Sequence, residues 1–130
     1  MGSPTISLKY APDGKATLRA WGQGASKTAA IEAAKVQAVY DVLFVGIKTG
    51  SGSDKLRYPL MSEANAYERY SQYFQPFFSS GGDYSRFVKE ENTNGRLQKA
   101  TGSNLSAYGV VVVVDVAALK SHLQNDGIIR

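Results

Sequence analysis

The sequence predicts a two-layer α+β fold, in which helices pack on a mainly antiparallel sheet of four or five strands. Three observations lead to this prediction. Apolar and polar residues alternate near the amino terminus, and an alanine-rich segment then repeats apolar residues at three- and four-residue steps. Five consecutive valines precede a second helical pattern near the carboxyl end.

Length and composition indicate one globular domain. The 130 residues are 43% apolar and 20% charged, a balance typical of folded chains. We assign residues 1–15 to the chain start and first strand, and residues 16–130 to the rest of the same domain. The longest strongly apolar run, Val110 to Val114, is much shorter than the ~18 residues of a membrane span.

The charge pattern argues against a strongly polyanionic partner. Fifteen basic and eleven acidic residues give a net charge of +4, and the basic residues are scattered along the chain. Such dispersal favours solubility over nucleic-acid binding, which we therefore do not expect. The chain has no cysteine, so disulfides, thiolate metal sites and a cysteine nucleophile are excluded.

The amino-terminal segment predicts a β-hairpin. Pro12-Asp13-Gly14 supplies the turn, and alternation places Ala16, Leu18 and Ala20 on one face of the second strand. The opposite face of that strand then carries Thr17, Arg19 and Trp21. We expect Gly22 and Gly24 to end this strand.

Ser26 is positioned to cap a helix from Lys27 to about Val45. Its predicted inward stripe consists of Ile31, Ala34, Ala38, Val42 and Val45, and because the first half is nearly all alanine the helix should lie close to the sheet. Gly46 suits the C-terminal cap. Residues 48–58 are rich in glycine and serine and predict a polar, mobile loop.

An aromatic segment predicts a second helix that begins near Ser62 and ends or kinks at Pro76. The aromatic residues at helical spacing are Tyr67, Tyr70, Phe74 and Phe77, with Tyr73 and Phe78 beside them. A hairpin turn is expected at Asn94-Gly95, followed by a returning strand over residues 96–102.

The valine run predicts the central strand, because continuous apolar strands are covered on both faces. Val111 and Val113 should point one way, and Val110, Val112 and Val114 the other. We expect the aromatic helix, or alternatively a second copy of the chain, to cover the face opposite the main helices. Near Asp115 a short helix begins, with Leu119 and Leu123 inward, Gly127 in a left-handed conformation and Ile128 closing onto Leu123.

No catalytic, cofactor-binding or metal-ligating residue is expected. The segment "WGQGASKTA" lacks the glycines of a phosphate-binding loop, since Trp21 and Ser26 occupy those positions. His122 is the single histidine and has no indicated ligand partners. Glu90 and Glu91 point to opposite faces of a strand and are interpreted as a solvated strand end. The aromatic stripe could stack bases or sugars, but such a stripe more often forms core.

Three stretches resemble a family of small bacterial envelope domains. They are "GQGASKTAAIEAAKVQAVYDVLFVGI", "YFQPFFSSGGDYSRFV" and "VVVVVDVAALKSHLQNDGI". In these stretches, which cover most of residues 16–129, the chain resembles the N-terminal domain of flagellar assembly protein T and related small lipoproteins. It departs from them by the polar insertion at residues 48–58 and by lacking a lipid-attachment cysteine.

The resemblance implies an α+β fold, export to the periplasm or outer envelope with the signal removed, and no catalytic residues. We therefore expect a non-enzymatic envelope domain without a cofactor that binds another envelope protein or assembles with itself. The alternative is a nucleic-acid-binding module that uses the dispersed basic charge and the tyrosines. An enzyme is not expected, because the sequence shows no convergent acid, base and nucleophile.

Overall fold

The structure is a computed structural model, and it describes residues 5–91, 98–99 and 106–129. In chain order, the first elements are β1 (Ile6–Tyr10), β2 (Lys15–Gly24), α1 (Lys27–Tyr40), a π-helical turn (Asp41–Val45) and a 3-10 helix (Ser53–Lys55). The remaining elements are α2 (Ala66–Arg69), α3 (Ser71–Phe77), a 3-10 helix (Asp83–Arg86), β3 (Val88–Glu90), β4 (Gln98–Lys99), β5 (Ser106–Asp115) and α4 (Val116–Asn125).

The strands form one antiparallel sheet in the order β1-β2-β5-β3, and the two-residue β4 also pairs with β5. The valine strand β5 therefore lies in the middle of the sheet, as predicted. Helices α1, α3 and α4 contribute side chains to the core over one face of this sheet, so the predicted two-layer α+β fold is confirmed. The predicted turn at Asn94-Gly95 lies outside the described residues.

One face of the sheet, here called the covered face, forms the floor of the core. Ala16, Leu18 and Ala20 of β2 lie opposite Val114, Val112 and Val110 of β5, and all six side chains are fully buried. Helix α1 packs over both strands and contributes Ala30, Ala34 and Ala38, which are also fully buried. Alanines on the helix and on β2 allow the close approach that the sequence predicts.

The strand ends at Gly24, as predicted, but Gly22 does not end it, because β2 runs from Lys15 through Gly22 to Gly24. A Cβ atom on Gly22 would lie 1.9 Å from the Ala30 carbonyl oxygen, and one on Gly24 would lie 2.8 Å from the Ala29 Cβ. These glycines are therefore needed where the start of α1 crosses the strand. The turn into α1 begins later, at Ser26, whose side chain accepts a hydrogen bond from Ala29 N.

The apolar stripe of the first helix departs from its predicted course near the end. Asp41–Val45 forms a π-helical turn that closes when Gly46 N donates to the Asp41 carbonyl over 2.7 Å, and Gly46 has φ +85°. A π turn takes up an extra residue and rotates the following side chains. Consequently Leu43 is fully buried, whereas Val45, predicted to face inward, is 47% exposed.

The aromatic segment lies in the same layer as α1 and α4, not on the opposite face of the sheet. It forms two short helices that meet at Tyr70, and Pro76 lies in the last turn of α3. Phe74 contacts Phe44 of the π turn, with ring centroids 5.0 Å apart, and Phe77 stacks on Phe87 next to β3. The expectation that this helix covers the second face is wrong, because these rings complete the core above the first face.

Residues 48–58 do not form a free loop. Ser7 N of β1 donates to the Thr49 carbonyl, and the Ser7 hydroxyl donates to the Ser51 carbonyl over 2.6 Å. A parallel bridge joins Ser7 to Gly50, and Leu56 is buried. The segment therefore covers the outer edge of β1, where unpaired backbone groups would otherwise invite pairing with another strand.

Helix α4 begins and ends with local hydrogen bonds. The Asp115 carboxylate accepts from Ala118 N at 3.0 Å, which caps the helix start, while Leu119 and Leu123 are fully buried. At the other end Gly127 has φ +74°. Gly127 N donates to the Gln124 carbonyl, and Ile128 N to the Leu123 carbonyl at 2.9 Å. This pair of bonds is the Schellman ending.

Candidate interaction surfaces

The buried and partly buried ionisable groups hold elements together. The Asp41 carboxylate is 8% exposed and accepts hydrogen bonds from the Thr5 hydroxyl at 2.5 Å and from Gln37 Nε2 at 2.8 Å. Burial raises the pKa of this carboxyl, and the two hydrogen bonds partly oppose that rise. Asp41 thus joins the residue before β1 to the end of α1.

His122 lies where α3, the second 3-10 helix and α4 meet. Its Nε2 atom is 3.3 Å from an Asp126 carboxylate oxygen and 3.9 Å from one of Asp83, and its ring packs on Phe87. The Tyr73 hydroxyl donates to Asp126 over 2.6 Å. Burial, followed by this bond and the two carboxylate charges, raises the pKa of Tyr73. His122 is only 20% exposed, so the cluster closes the core.

The tyrosines of the aromatic segment do not present a stacking platform. Tyr84 is 4% exposed, and its hydroxyl donates to Glu32 of α1 over 3.0 Å. Burial, followed by this bond to a carboxylate, raises the pKa of Tyr84. Tyr67, Tyr70 and Tyr73 are partly buried and pack against the core. These rings serve as core, which was the more common of the two interpretations weighed from the sequence.

A groove here called the C-terminal groove lies between residues 59–63 and the end of α4. It encloses about 750 Å³, a volume within the range of ligand-binding clefts. Leu60, Ile128 and Ile129 are among its apolar lining residues, and Lys120 stands on its rim without an ion pair among the described residues. Across the groove Glu63 is neutralised by Arg69, whose Nη1 lies 2.6 Å from the carboxylate.

The second face of the sheet, here called the open sheet face, has no described element packed on it. Strand pairing places its residues in rows across the sheet. One row runs Lys9, Thr17, Val113, Lys89; the next contains Ile6, Arg19 and Val111; the third contains Trp21 and Gly109. Val111, Val113, Arg19 and Trp21 are all partly buried, and none belongs to the core cluster.

The sequence did not single out this surface, although alternation had already placed Arg19 and Trp21 together on it. The alternation of side chains along each strand could have indicated this surface, but only if the pairing of strands that lie far apart in the chain were known. Lys9 and Lys89 are separated by most of the sequence, and only the pairing of β1, β2, β5 and β3 brings them into one row.

The described residues contain no group of three or more His, Asp or Glu side chains arranged to hold a metal ion. Within the same ranges, no helix is both long and apolar enough to cross a membrane. Comparison with known proteins gives no match to a family model, to a curated protein or to a solved structure. The candidate surfaces are therefore interpreted from their geometry and chemistry.

Proposed function

We propose that this protein is a non-enzymatic domain of the bacterial cell envelope that binds another protein through the C-terminal groove. One observation carries the proposal: the groove combines exposed apolar side chains with a cation on its rim that forms no ion pair among the described residues. Binding sites use apolar contacts together with a few polar groups that fix the orientation of the bound molecule, and this groove offers both kinds of group. The groove is partly open to solvent, so a segment of a partner protein can reach it from outside.

The remaining polar chemistry supports a structural scaffold. The carboxylates of Asp41, Asp126 and Glu32 each accept a hydrogen bond from a neighbouring element. Carboxylates that already accept a hydrogen bond within the fold are poorly placed to transfer protons or attack a substrate. The envelope location rests on the resemblance of the three sequence stretches to envelope domains.

A photo-reactive residue in place of Lys120 tests both parts of the proposal. The full-length gene product carrying it is irradiated in cells of the native organism, and the envelope and cytoplasmic fractions are separated. We expect one discrete cross-linked species in the envelope fraction. The same residue in place of Lys27, at the start of α1, is the matched control and should give none.

The size of the cross-linked species identifies the form of binding. A product with the mass of two copies of the chain indicates self-association, and any other mass indicates a different protein. Equal cross-linking from the two positions, or none from Lys120, would refute the groove as the binding site. Recovery of the protein in the cytoplasmic fraction would refute the envelope location alone.

A further inference from the structure

Three cations on the open sheet face have no ionic partner among the described residues. Lys9, Arg19 and Lys89 take part in no ion pair or side-chain hydrogen bond there, and Arg19 Nε is buried without an acceptor. The acidic groups near them are few. Glu91 lies two residues after Lys89 at the edge of the sheet, where its N donates to the Val111 carbonyl, and the Asp115 carboxylate caps α4. At the end of β2 beyond Thr17, Lys15 lies opposite Asp115 of β5, and its Nζ is 3.8 Å from an Asp13 carboxylate oxygen.

An aromatic ring lies flat beside these cations. A Cβ atom built on Gly109 would be 3.2, 3.3 and 3.5 Å from the Cζ2, Cε2 and Cη2 atoms of Trp21. Three such similar distances place the six-membered part of the indole over Gly109, with one π-face against the neighbouring strand. The other π-face is directed away from the sheet. Because Gly109 has no side chain, the Trp21 ring can lie flat against the backbone at this position.

The charges decide which partner fits this surface. A second copy of the chain docked face to face would bring the three unpaired cations against three identical ones, and like charges in contact are destabilising. A purely apolar partner would bury Arg19 without an acceptor. A partner that supplies both anions and flat rings satisfies the cations and the indole together.

We propose that the open sheet face binds single-stranded nucleic acid, with one base stacked on Trp21 and neighbouring phosphates bound by Arg19, Lys9 and Lys89. Base stacking on an aromatic side chain combined with a basic surface is the general mode of single-strand recognition. Lys9 and Lys89 stand at the two ends of a four-strand row and are therefore separated by about 14 Å. A duplex is excluded because its bases are already stacked and paired. This inference does not depend on the C-terminal groove.

Trp21 is the single tryptophan of the chain, so its fluorescence reports on the proposed site directly. Titration with an oligothymidylate of about 12 nucleotides should quench the emission in a saturable manner. With three phosphates bound, the logarithm of the affinity should fall against the logarithm of the salt concentration with a slope of about −2. The same sequence annealed to its complement should bind much more weakly.

Variants separate the stacking from the charge, with anisotropy of a labelled oligonucleotide as the readout. Trp21→Ala should weaken binding by about 5- to 150-fold, whereas Trp21→Phe keeps a ring and should retain most of the affinity. Arg19→Gln and Lys89→Gln should each reduce the salt slope by about 0.7. Lys27→Gln carries the same charge change away from this face and should leave both quantities unchanged.

Thermal melting of each variant establishes that it is folded, and Lys89→Gln carries the charge test if Arg19→Gln unfolds, because Lys89 is exposed. Absence of fluorescence quenching at low salt would overturn the proposal. Equal losses in the face and control variants would also overturn it, since they would indicate non-specific attraction to the net charge. Polyglutamate that binds as tightly and quenches Trp21 as strongly would assign the face to an acidic protein instead.

Discussion

The covered face and the open sheet face are built from alternate residues of the same two strands, yet one is fully buried in the core and the other is only partly buried. The covered face carries Ala16, Ala20 and Gly22 of β2, small groups that let α1 approach the backbone. The open sheet face carries Arg19 and Trp21 of the same strand, long side chains that lie along the sheet. Val110, Val112 and Val114 are therefore fully buried beneath the helical layer, whereas Val111 and Val113 on the open sheet face are only partly buried.

The two faces also use glycine differently. A Cβ on Gly22 would meet backbone atoms of α1, whereas one on Gly109 would meet the side chain of Trp21. Backbone held in a packed helix cannot yield without displacing the layer, while an indole can tilt. The covered face should therefore tolerate much less change than the open sheet face.

The largest difference is expected from lysine substitutions in β5. Val112→Lys places a charge on the covered face, where Val112 is fully buried, and should destabilise the fold by at least about 3 kcal/mol because the charge has no partner. Val111→Lys, the matched control on the open sheet face, should remain folded. Urea unfolding followed by circular dichroism measures both, and equal losses would contradict the assignment of the faces.

Alanine at the two glycines gives the next largest effect. Gly22→Ala forces α1 away from β2 and should cost about 3 kcal/mol, at the upper end of typical overpacking effects. Gly109→Ala displaces only a ring and should cost less than about 1 kcal/mol, with a shift in tryptophan emission. Thermal melting and fluorescence of the two variants test this, and a Gly22→Ala protein as stable as the parent would show that the helix does not need this contact.

A smaller effect is expected where α4 ends over the covered face. Gly127 has φ +74°, so Gly127→Val should cost of order 1–2 kcal/mol through backbone strain. Gly127→Asn is the control, because asparagine tolerates the left-handed region better, and it should fall between parent and valine variant. Urea midpoints rank the three proteins, and equal midpoints would refute the Schellman ending.

The smallest effect concerns the pH dependence supplied by Asp41 at the end of α1. Because burial raises the pKa of its carboxyl in the folded state, the folded protein binds the proton more tightly than the unfolded chain. Stability from this group is therefore fully present below the unfolded-state pKa and is lost as the pH rises through the folded-state value. The free energy of unfolding of the parent minus that of Asp41→Asn should decrease over this interval, and a flat difference would contradict the prediction.

Local patterns in the sequence were sufficient for the direction of the side chains along β2 and β5, for the start of α1 and for both ends of α4. Alternation placed Leu18 and Val112 on one face and Arg19 and Val111 on the other, because successive side chains of a strand point in opposite directions. Asp115 and Gly127 act through hydrogen bonds within a few residues of themselves. Such interactions depend on neighbouring residues alone, so the sequence contains them completely.

The features that the sequence predicted wrongly depend on contacts between residues far apart in the chain. From the sequence, Gly22 is interpreted as a residue that ends the strand. Its actual role is to leave space for the Ala30 carbonyl oxygen, and that oxygen lies next to Gly22 only because α1 packs on β2. The aromatic stripe could be recognised as core, but its side of the sheet depended on contacts such as that of Phe74 with Phe44. The π turn that exposes Val45 likewise has no periodic signal.

The sequence by itself determined the α+β fold, the central position of the valine strand and the direction of each side chain along it. Tertiary structure alone decided which face the helices cover and which has no described element packed on it. It also decided that Lys9, Arg19 and Lys89, scattered in the sequence, share one surface with Trp21. The physical reason is that alternation is a property of one strand, whereas a surface is made by the pairing of several, and strand pairing joins residues without regard to their separation in the chain.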